Sequence, residues 1–381
     1  MLQAALRDGS ANRQVTCEVF GRRLPNERRY GVVAGTERVL RAVEDFRFSA
    51  NQLAEMDFLD EQTKEYLRHY RFSGQIDGYR EGELYFPNSP ILTVRGTFGE
   101  CLILETVILS IMNADSAVAS AASRMVTAAD GRPIIEMGSR RTHEYAAVTS
   151  ARAAYLAGFN ATSNLEAGYR YGIAVSGTAA HSWTLAHTNP DGTPNEEAAF
   201  RSQIDTLGVD TTLLVDTYDI TKGVETAVKV GGPKLGGVRI DSGDLGAVTR
   251  RVRKQLDDLG NHNTNIVVSS DLDEFAIAGL RGDPAGRVVH LEQVCEDTDP
   301  VRSLLERTGF QARQELGADP DGAPKLRGAG MGRLDADVRQ VDRQLAQAGQ
   351  QVLEGHGRGC CGLAGMEVCR TGGSRGFERL Q

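Results

Sequence analysis

The sequence predicts an α/β protein: a mixed N-terminal α/β domain followed by an irregular α/β barrel. Short β-branched runs, each followed by a polar turn and then a helix-length segment, recur from about residue 133. Such strand-then-helix units imply a parallel sheet covered by helices, with a barrel favoured over an open sheet. The 381 residues suffice for two domains, and 40% hydrophobic with 25% charged residues fits a globular chain.

The first 130 residues read as scaffold. Val15, Cys17 and Val19 alternate with polar neighbours, as in a half-buried strand, and residues 37–46 and 61–70 carry helical apolar spacing. Strands are expected at 75–80 and 91–95, with Gly82, Pro87 and Pro90 punctuating the chain around them. Phe98 to Met125, the most apolar stretch, is expected to form two packed helices.

Residues 131–284 carry the barrel. Its strand runs are Pro133 to Glu136, Ile173 to Val175, Thr212 to Val215, Val238 to Ile240 and Ile266 to Val268. Helices are expected at 144–157, 221–229, 244–258 and 272–280. Beyond Pro284 the rhythm is expected to stop, leaving 285–381 as a low-order tail with some helix around 334–353. The 97 residues from Ala285 hold two aromatics, Phe310 and Phe377, too few for a core. The tract from 355 to 369 matches no standard zinc spacing.

A net charge of −8 argues against nucleic-acid binding as the main role but permits a local basic pocket for an anionic ligand. Cysteines at 17, 101, 295, 360, 361 and 369 make no C-x-x-C pair, and MLQAALRDGSANR lacks the pattern of an export leader. A reducing, cytoplasmic setting without a membrane span is expected.

The residues behind successive strands carry the functional signal. They are Ser176, Gly177, Thr178 and His181, then Asp216, Thr217 and Asp219, then Asp241, Ser242 and Asp244, then Ser269, Ser270 and Asp271. Parallel α/β folds bring such positions to the one edge where ligands bind. Each Ser, Thr or Asp serves equally well as a helix N-cap, so the set carries the argument rather than any member. His181, in a loop of small residues at a strand-to-helix turn, suits nucleophilic attack on a phosphoryl group or acid–base work. Asp216 and Asp219 suit ribose hydroxyls or magnesium. Arg239 suits a carboxylate or phosphate clamp, with a surface ion pair as the plain alternative, and Arg140 with Arg141 forms a second basic pair.

The segments EMGSRRTHEYAAVTSARAAYLAGFNATSN, YGIAVSGTAAHSW, LLVDTYDITKGVETAV, GVRIDSGDLGAVTRRVRKQLD and VVSSDLDEFAIAGL closely resemble bacterial nicotinate phosphoribosyltransferases, as does GELYFPNSPILTVRG. The likeness runs from the first residues to about Pro284. It implies a type II phosphoribosyltransferase fold joining nicotinate to 5-phosphoribosyl 1-diphosphate in NAD synthesis. ATP as co-substrate, magnesium with the diphosphate, a cytoplasmic setting and a homodimer accompany that expectation. The resemblance makes His181 the histidine that ATP phosphorylates. It places Thr178 and Arg239 at nicotinate, and Asp241, Ser242, Asp244 and Arg140 around the sugar diphosphate.

Two departures stand out. The family's opening Thr-Asp-x-Tyr-Glu-Leu-Thr segment has no counterpart in MLQAALRDG. Its Gly-x-Gly-Thr phosphate loop is replaced by DPAGRVVHLEQVCEDTDP, as a shifted reading frame or gene boundary would do. The expectation is an incomplete barrel and little turnover. The alternatives are an impaired remnant of the enzyme or a transferase for another pyridine.

Overall fold

The computed structural model describes residues 1–25 and 28–281, together with the strands Val288–Gln293, Ala312–Arg313 and Met366–Glu367. It divides into two compact units, and the division of the chain falls between Ser120 and Ala121. Expectations for 334–353, and for 355–369 apart from Met366 and Glu367, lie outside the described residues.

The first unit follows the order α1 (Leu2–Arg7), β1 (Gln14–Gly21), β2 (Gly31–Val32), α2 (Thr36–Asp45), α3 (Ala50–Ala54) and α4 (Glu61–Arg68). It continues with β3 (Gln75–Gly78), β4 (Leu84–Tyr85), β5 (Pro90–Thr97) and the start of α5 (Phe98–Ala129). Strands β1, β5 and β3 form an antiparallel sheet, and β2 pairs with β4. β1 is more than half-buried, since Thr16 is buried along with Val15, Cys17 and Val19. Its alternating pattern hides this because threonine, although polar, is small and β-branched.

α5 corrects the expectation of two helices over 98–125: it is one continuous helix of 32 residues. From Glu100 to Ala129 it contains neither glycine nor proline, so nothing breaks its hydrogen-bond ladder. The polar residues in its middle have partners across the first unit. Asp115, 2% exposed, accepts from Arg38 Nη1 at 2.6 Å. Ser116 Oγ donates to Ala34 O and accepts from its N–H, while Ser120 Oγ accepts from Val32 N at 2.8 Å. By length and composition α5 could cross a membrane, but Leu104, Ile108, Leu109 and Met112 pack into the same buried cluster as the inner residues of β1 and β5.

A small cavity in that cluster is lined by Cys17, Cys101 and Glu105 among aliphatic side chains. The Cys101 thiol beside it, together with burial, pushes the Cys17 thiol up, which makes Cys17 an inert packing residue. Burial raises Glu105 to about 7.

The second unit comprises the end of α5 and the barrel. Its elements are β6 (Ile134–Glu136), α6 (Glu144–Leu156), β7 (Ala161–Thr162), α7 (Leu165–Tyr171), α8 (His181–Leu185) and α9 (Glu196–Leu207). There follow β8 (Thr212–Leu214), α10 (Ile220–Gly231), β9 (Gly237–Ile240), α11 (Leu245–Asp258), β10 (Asn265–Val268), α12 (Glu274–Arg281) and β11 (Val288–Gln293). The strand order is β7-β6-β11-β10-β9-β8 with parallel pairing throughout. Ile134, Leu213, Val238, Ile240, Ile266 and Val268, each at most 1% exposed, show why these strands read as unbroken aliphatic runs.

Two expectations are corrected in this sheet. Residues 173–175 form only a parallel bridge from Val175 to Thr162, because Ala174 and Val175 are exposed and give the strand no buried face. The rhythm also runs one unit past Pro284. β11 lies between β10 and β6 and joins what would otherwise be two separate ladders. VVHLEQ has the β-branched start and alternation of a strand despite the change of composition around it. Two further strands, β12 (Ala312–Arg313) and β13 (Met366–Glu367), pair antiparallel with β1.

Two tests follow from this packing. Glu105 takes up its proton more readily in the fold than in the open chain, so the fold is favoured below about pH 4.5 and that advantage is lost as pH rises through about 7. Thermal unfolding across pH 4–8 should show Glu105→Gln gaining stability relative to wild type towards pH 8. At Gly223, where α10 passes the end of β8, an added Cβ would lie 2.2 Å from Val215 O. Gly223→Ala should therefore cost ~1–3 kcal/mol, read as a lowered denaturation midpoint.

Candidate active site

Parallel pairing brings the C-terminal ends of the barrel strands to one edge. Arg239, third residue of β9, projects there with a side chain 10% exposed. Its guanidinium is held by three loops. Nε donates to Ser269 Oγ behind β10 at 2.8 Å, and Nη1 donates to Thr178 Oγ1 at 2.8 Å and Ala179 O at 3.3 Å. Nη2 donates to Asp241 Oδ1 at 3.2 Å. Ser269 Oγ in turn donates to Asp241 Oδ1 at 2.5 Å, so a serine fixes the angle between arginine and aspartate.

His181 opens the five-residue helix α8 behind an uncapped Ala180. Its Nδ1 lies 3.2 Å from Thr217 Oγ1. Nε2 faces two carboxylates, Asp241 Oδ2 at 3.5 Å and Asp216 Oδ1 at 3.9 Å. The Asp216 side chain is fully buried. Oδ2 accepts from Asp241 N at 2.8 Å and Ser242 Oγ at 2.7 Å, whereas Oδ1 has no hydrogen-bond partner. A buried carboxylate oxygen with no donor is costly, and the imidazole N–H is the group placed to relieve it.

The expected residues therefore separate. His181, Thr178, Arg239, Asp216, Asp241 and Ser242 converge on one network. Asp219 and Asp244 cap helices: Asp219 Oδ1 accepts from Lys222 N at 2.9 Å and Asp244 Oδ1 from Ala247 N at 3.1 Å. Gly177 is exposed, with no atom within 4 Å of the place a Cβ would take. Arg140 ends the short 3-10 turn Gly138–Arg140 behind β6, and its neighbour Arg141 reaches Asp271 at 3.3 Å.

Thr217 and Ser269, named in the sequence only as members of the strand-end set and given no role of their own there, enter the network. Both stand in the quoted strand-end segments, but a lone hydroxyl gives no sign of which charge it will touch. Glu136, last residue of β6, is likewise unheralded and is 2% exposed. Burial pushes its carboxyl up, while hydrogen bonds from Thr162 and Gly138 pull it back.

Among the described residues no cluster of three or more His, Cys, Asp or Glu side chains could cage a metal ion. A magnesium ion needs fewer, since it commonly takes one or two carboxylates and completes its shell with phosphate oxygens and water. Asp241, 28% exposed at its side chain, suits such a shared site.

Comparisons with known proteins place the chain in a family. Residues 1–113 match the nicotinate phosphoribosyltransferase N-terminal domain, and residues 133–275 match the nicotinate phosphoribosyltransferase family. The Mycobacterium tuberculosis protein named nicotinate phosphoribosyltransferase pncB1 is 62% identical over 74% of this chain and 64% of its own length. A Bacillus subtilis nicotinate phosphoribosyltransferase is 38% identical over 75% of this chain and 59% of its own. The chain thus spans less than two thirds of the length of either relative. Human nicotinic acid phosphoribosyltransferase superposes with a TM-score of 0.66 at 26% identity, covering 77% of this chain and 71% of that one. A Pyrococcus furiosus nicotinate-nucleotide pyrophosphorylase shares the fold, with a TM-score of 0.63 at 24% identity over 76% of this chain and 67% of its own. With both family models matched in order, and His181, Arg239 and Asp241 drawn together at the barrel edge, the chain belongs to the nicotinate phosphoribosyltransferase family.

Proposed function

We propose that this chain binds nicotinate, 5-phosphoribosyl 1-diphosphate and ATP, and that its site serves nicotinate mononucleotide formation. The observation that carries the reading is the network in which Arg239, Asp241, Asp216 and His181 meet.

Arg239 presents a planar cation beside the Thr178 hydroxyl, the geometry that grips a pyridine carboxylate. Fixing that carboxylate orients the ring nitrogen towards the sugar C1, and orientation matters most for a bond formed at a cation-like carbon. The diphosphate leaves from the opposite face of C1. Magnesium, when bound with the diphosphate, would supply positive charge for the departing oxygens, and Asp241 with the Arg140 turn would provide the protein side of that site.

The two carboxylates hold the imidazole proton on Nε2, which leaves the Nδ1 lone pair to attack phosphorus. The γ-phosphoryl of ATP moves to Nδ1 as its bond to the ADP oxygen breaks. Thr217, at hydrogen-bond distance from Nδ1, then sits beside the new anion. The added charge next to Asp216 and Asp241 would reorder these loops, linking ATP consumption to the affinity of the sugar-diphosphate site. A cytoplasmic homodimer belongs to the same reading; exposed Tyr145, Leu165 and Tyr169 on the barrel unit suit a partner copy.

Incubation with γ-labelled ATP should give an acid-labile, base-stable phosphoprotein, absent in His181→Ala. No label on the wild-type chain would overturn the reading. Nicotinate mononucleotide formation should be slow even so, because the family's Gly-x-Gly-Thr phosphate loop is missing from the sequence; robust turnover would refute that expectation. Arg239→Lys should weaken nicotinate binding roughly 10- to 100-fold, from ~1.5–3 kcal/mol for a hydrogen bond to a charged group. Calorimetric titration with nicotinate measures it.

A further inference from the structure

The structure assigns Glu136 as the positioning residue for the basic turn Gly138–Arg141, a role that rests on the functional reading above. Glu136 ends β6 with its side chain turned into the fold, where an ionisable group needs a strong compensating interaction. Both carboxylate oxygens are used, and by different loops. Oε1 accepts the Gly138 N–H of its own loop, and Oε2 accepts the Thr162 hydroxyl at the end of β7 at 2.6 Å.

From Thr162 the hydrogen bonds run back to the starting loop. Thr162 Oγ1 accepts from Asn164 N at 3.0 Å, and Asn164 Nδ2 donates to Ser139 Oγ at 3.0 Å. Ser139 adjoins Gly138, so Glu136, Thr162, Asn164 and Ser139 close a ring that clamps two neighbouring strand-end loops. Asn164 Oδ1 also caps α7 through Ala167 N at 2.9 Å, anchoring the far side of the ring to a helix. Thr162 is 0% exposed, so water does not compete for these bonds.

The clamped element has one evident task. The turn is a single 3-10 step, closed by Arg141 N donating to Gly138 O at 2.8 Å, and it carries Arg140 and Arg141 at the ligand edge. So short a turn has little rigidity of its own, and a long cation such as Arg140 binds a diphosphate well only if its backbone is fixed. A carboxylate suits the task because it accepts from both loops at once. Glutamine has one acceptor oxygen: if that takes the Gly138 N–H, its NH2 faces Thr162 Oγ1, which already accepts from Asn164 N, and the buried Thr162 hydroxyl proton loses its acceptor.

Glu136 touches no substrate in this account, so its replacement should act on one ligand. The test is calorimetric titration of the full chain with 5-phosphoribosyl 1-diphosphate and, separately, nicotinate. Wild type, Glu136→Gln, Thr162→Val and Arg140→Ala are compared, with hydrogen exchange followed for the peptide spanning 137–142. Glu136→Gln should weaken 5-phosphoribosyl 1-diphosphate at least 10-fold, leave nicotinate within 2-fold, and speed exchange in that peptide. Thr162→Val, which removes both ring bonds made by Thr162 Oγ1 while keeping shape, should show the same selectivity and stands in if Glu136→Gln does not fold. Unchanged affinity for the sugar diphosphate, or equal loss for both ligands, overturns the assignment. Wild type binding neither ligand overturns the functional reading with it; wild type binding both while Glu136→Gln behaves like it overturns the assignment alone.

Discussion

The site depends on a buried arginine whose charge is met at once. Arg239 leaves the end of a strand whose four residues are all buried, and an unpaired guanidinium there would cost more than the local packing could return. Asp241, two residues on, meets it from the same chain, while Ser269 and Thr178 take its remaining directions. Because those partners come from three separate loops, the arginine ties the strand ends together. The arrangement that neutralises it also fixes the hydroxyl and carboxylate groups at that edge of the sheet.

Asp216 shows how that order extends to the histidine. One of its oxygens holds the backbone and side chain just behind β9, and the other lies bare towards His181. The first set of bonds makes the second possible, since a carboxylate free to rotate would swing its bare oxygen towards water. His181 thus lies near two negative groups that cannot retreat, and its own mobility in a helix of one turn is what remains adjustable.

Much of this was legible in the sequence, for a physical reason. Parallel strands buried on both faces need continuous aliphatic runs, so Thr212 to Val215, Val238 to Ile240 and Ile266 to Val268 declare themselves, and the polar residues behind them mark the ligand edge. What failed to show depends on contacts far along the chain. Asp219 and Asp244 look like Asp216 and Asp241 in sequence, and only contacts in the fold show that the first two cap helices while the other two join the Arg239 network. The continuity of α5 was hidden because the partners of its polar Ser116 and Asp115, Ala34 and Arg38, are about eighty residues away. β11 was masked by the polar composition on either side of it, although its own six residues alternate as a strand should. Glu136 looked like the polar end of a strand, and its burial becomes visible only when Thr162 is seen beside it.

The chain contains a single tryptophan, and Trp183 lies two residues beyond His181, in the same short helix. Its indole N–H donates to Ala199 O at 3.3 Å, and its ring meets His187 edge-on with centroids 4.6 Å apart. Indole emission from the whole protein therefore originates beside His181. The indole is 38% exposed and sits against a neighbour able to quench it, so small rotations of that one helical turn change its surroundings. The fold has in effect placed a natural optical probe in the helical turn that carries His181.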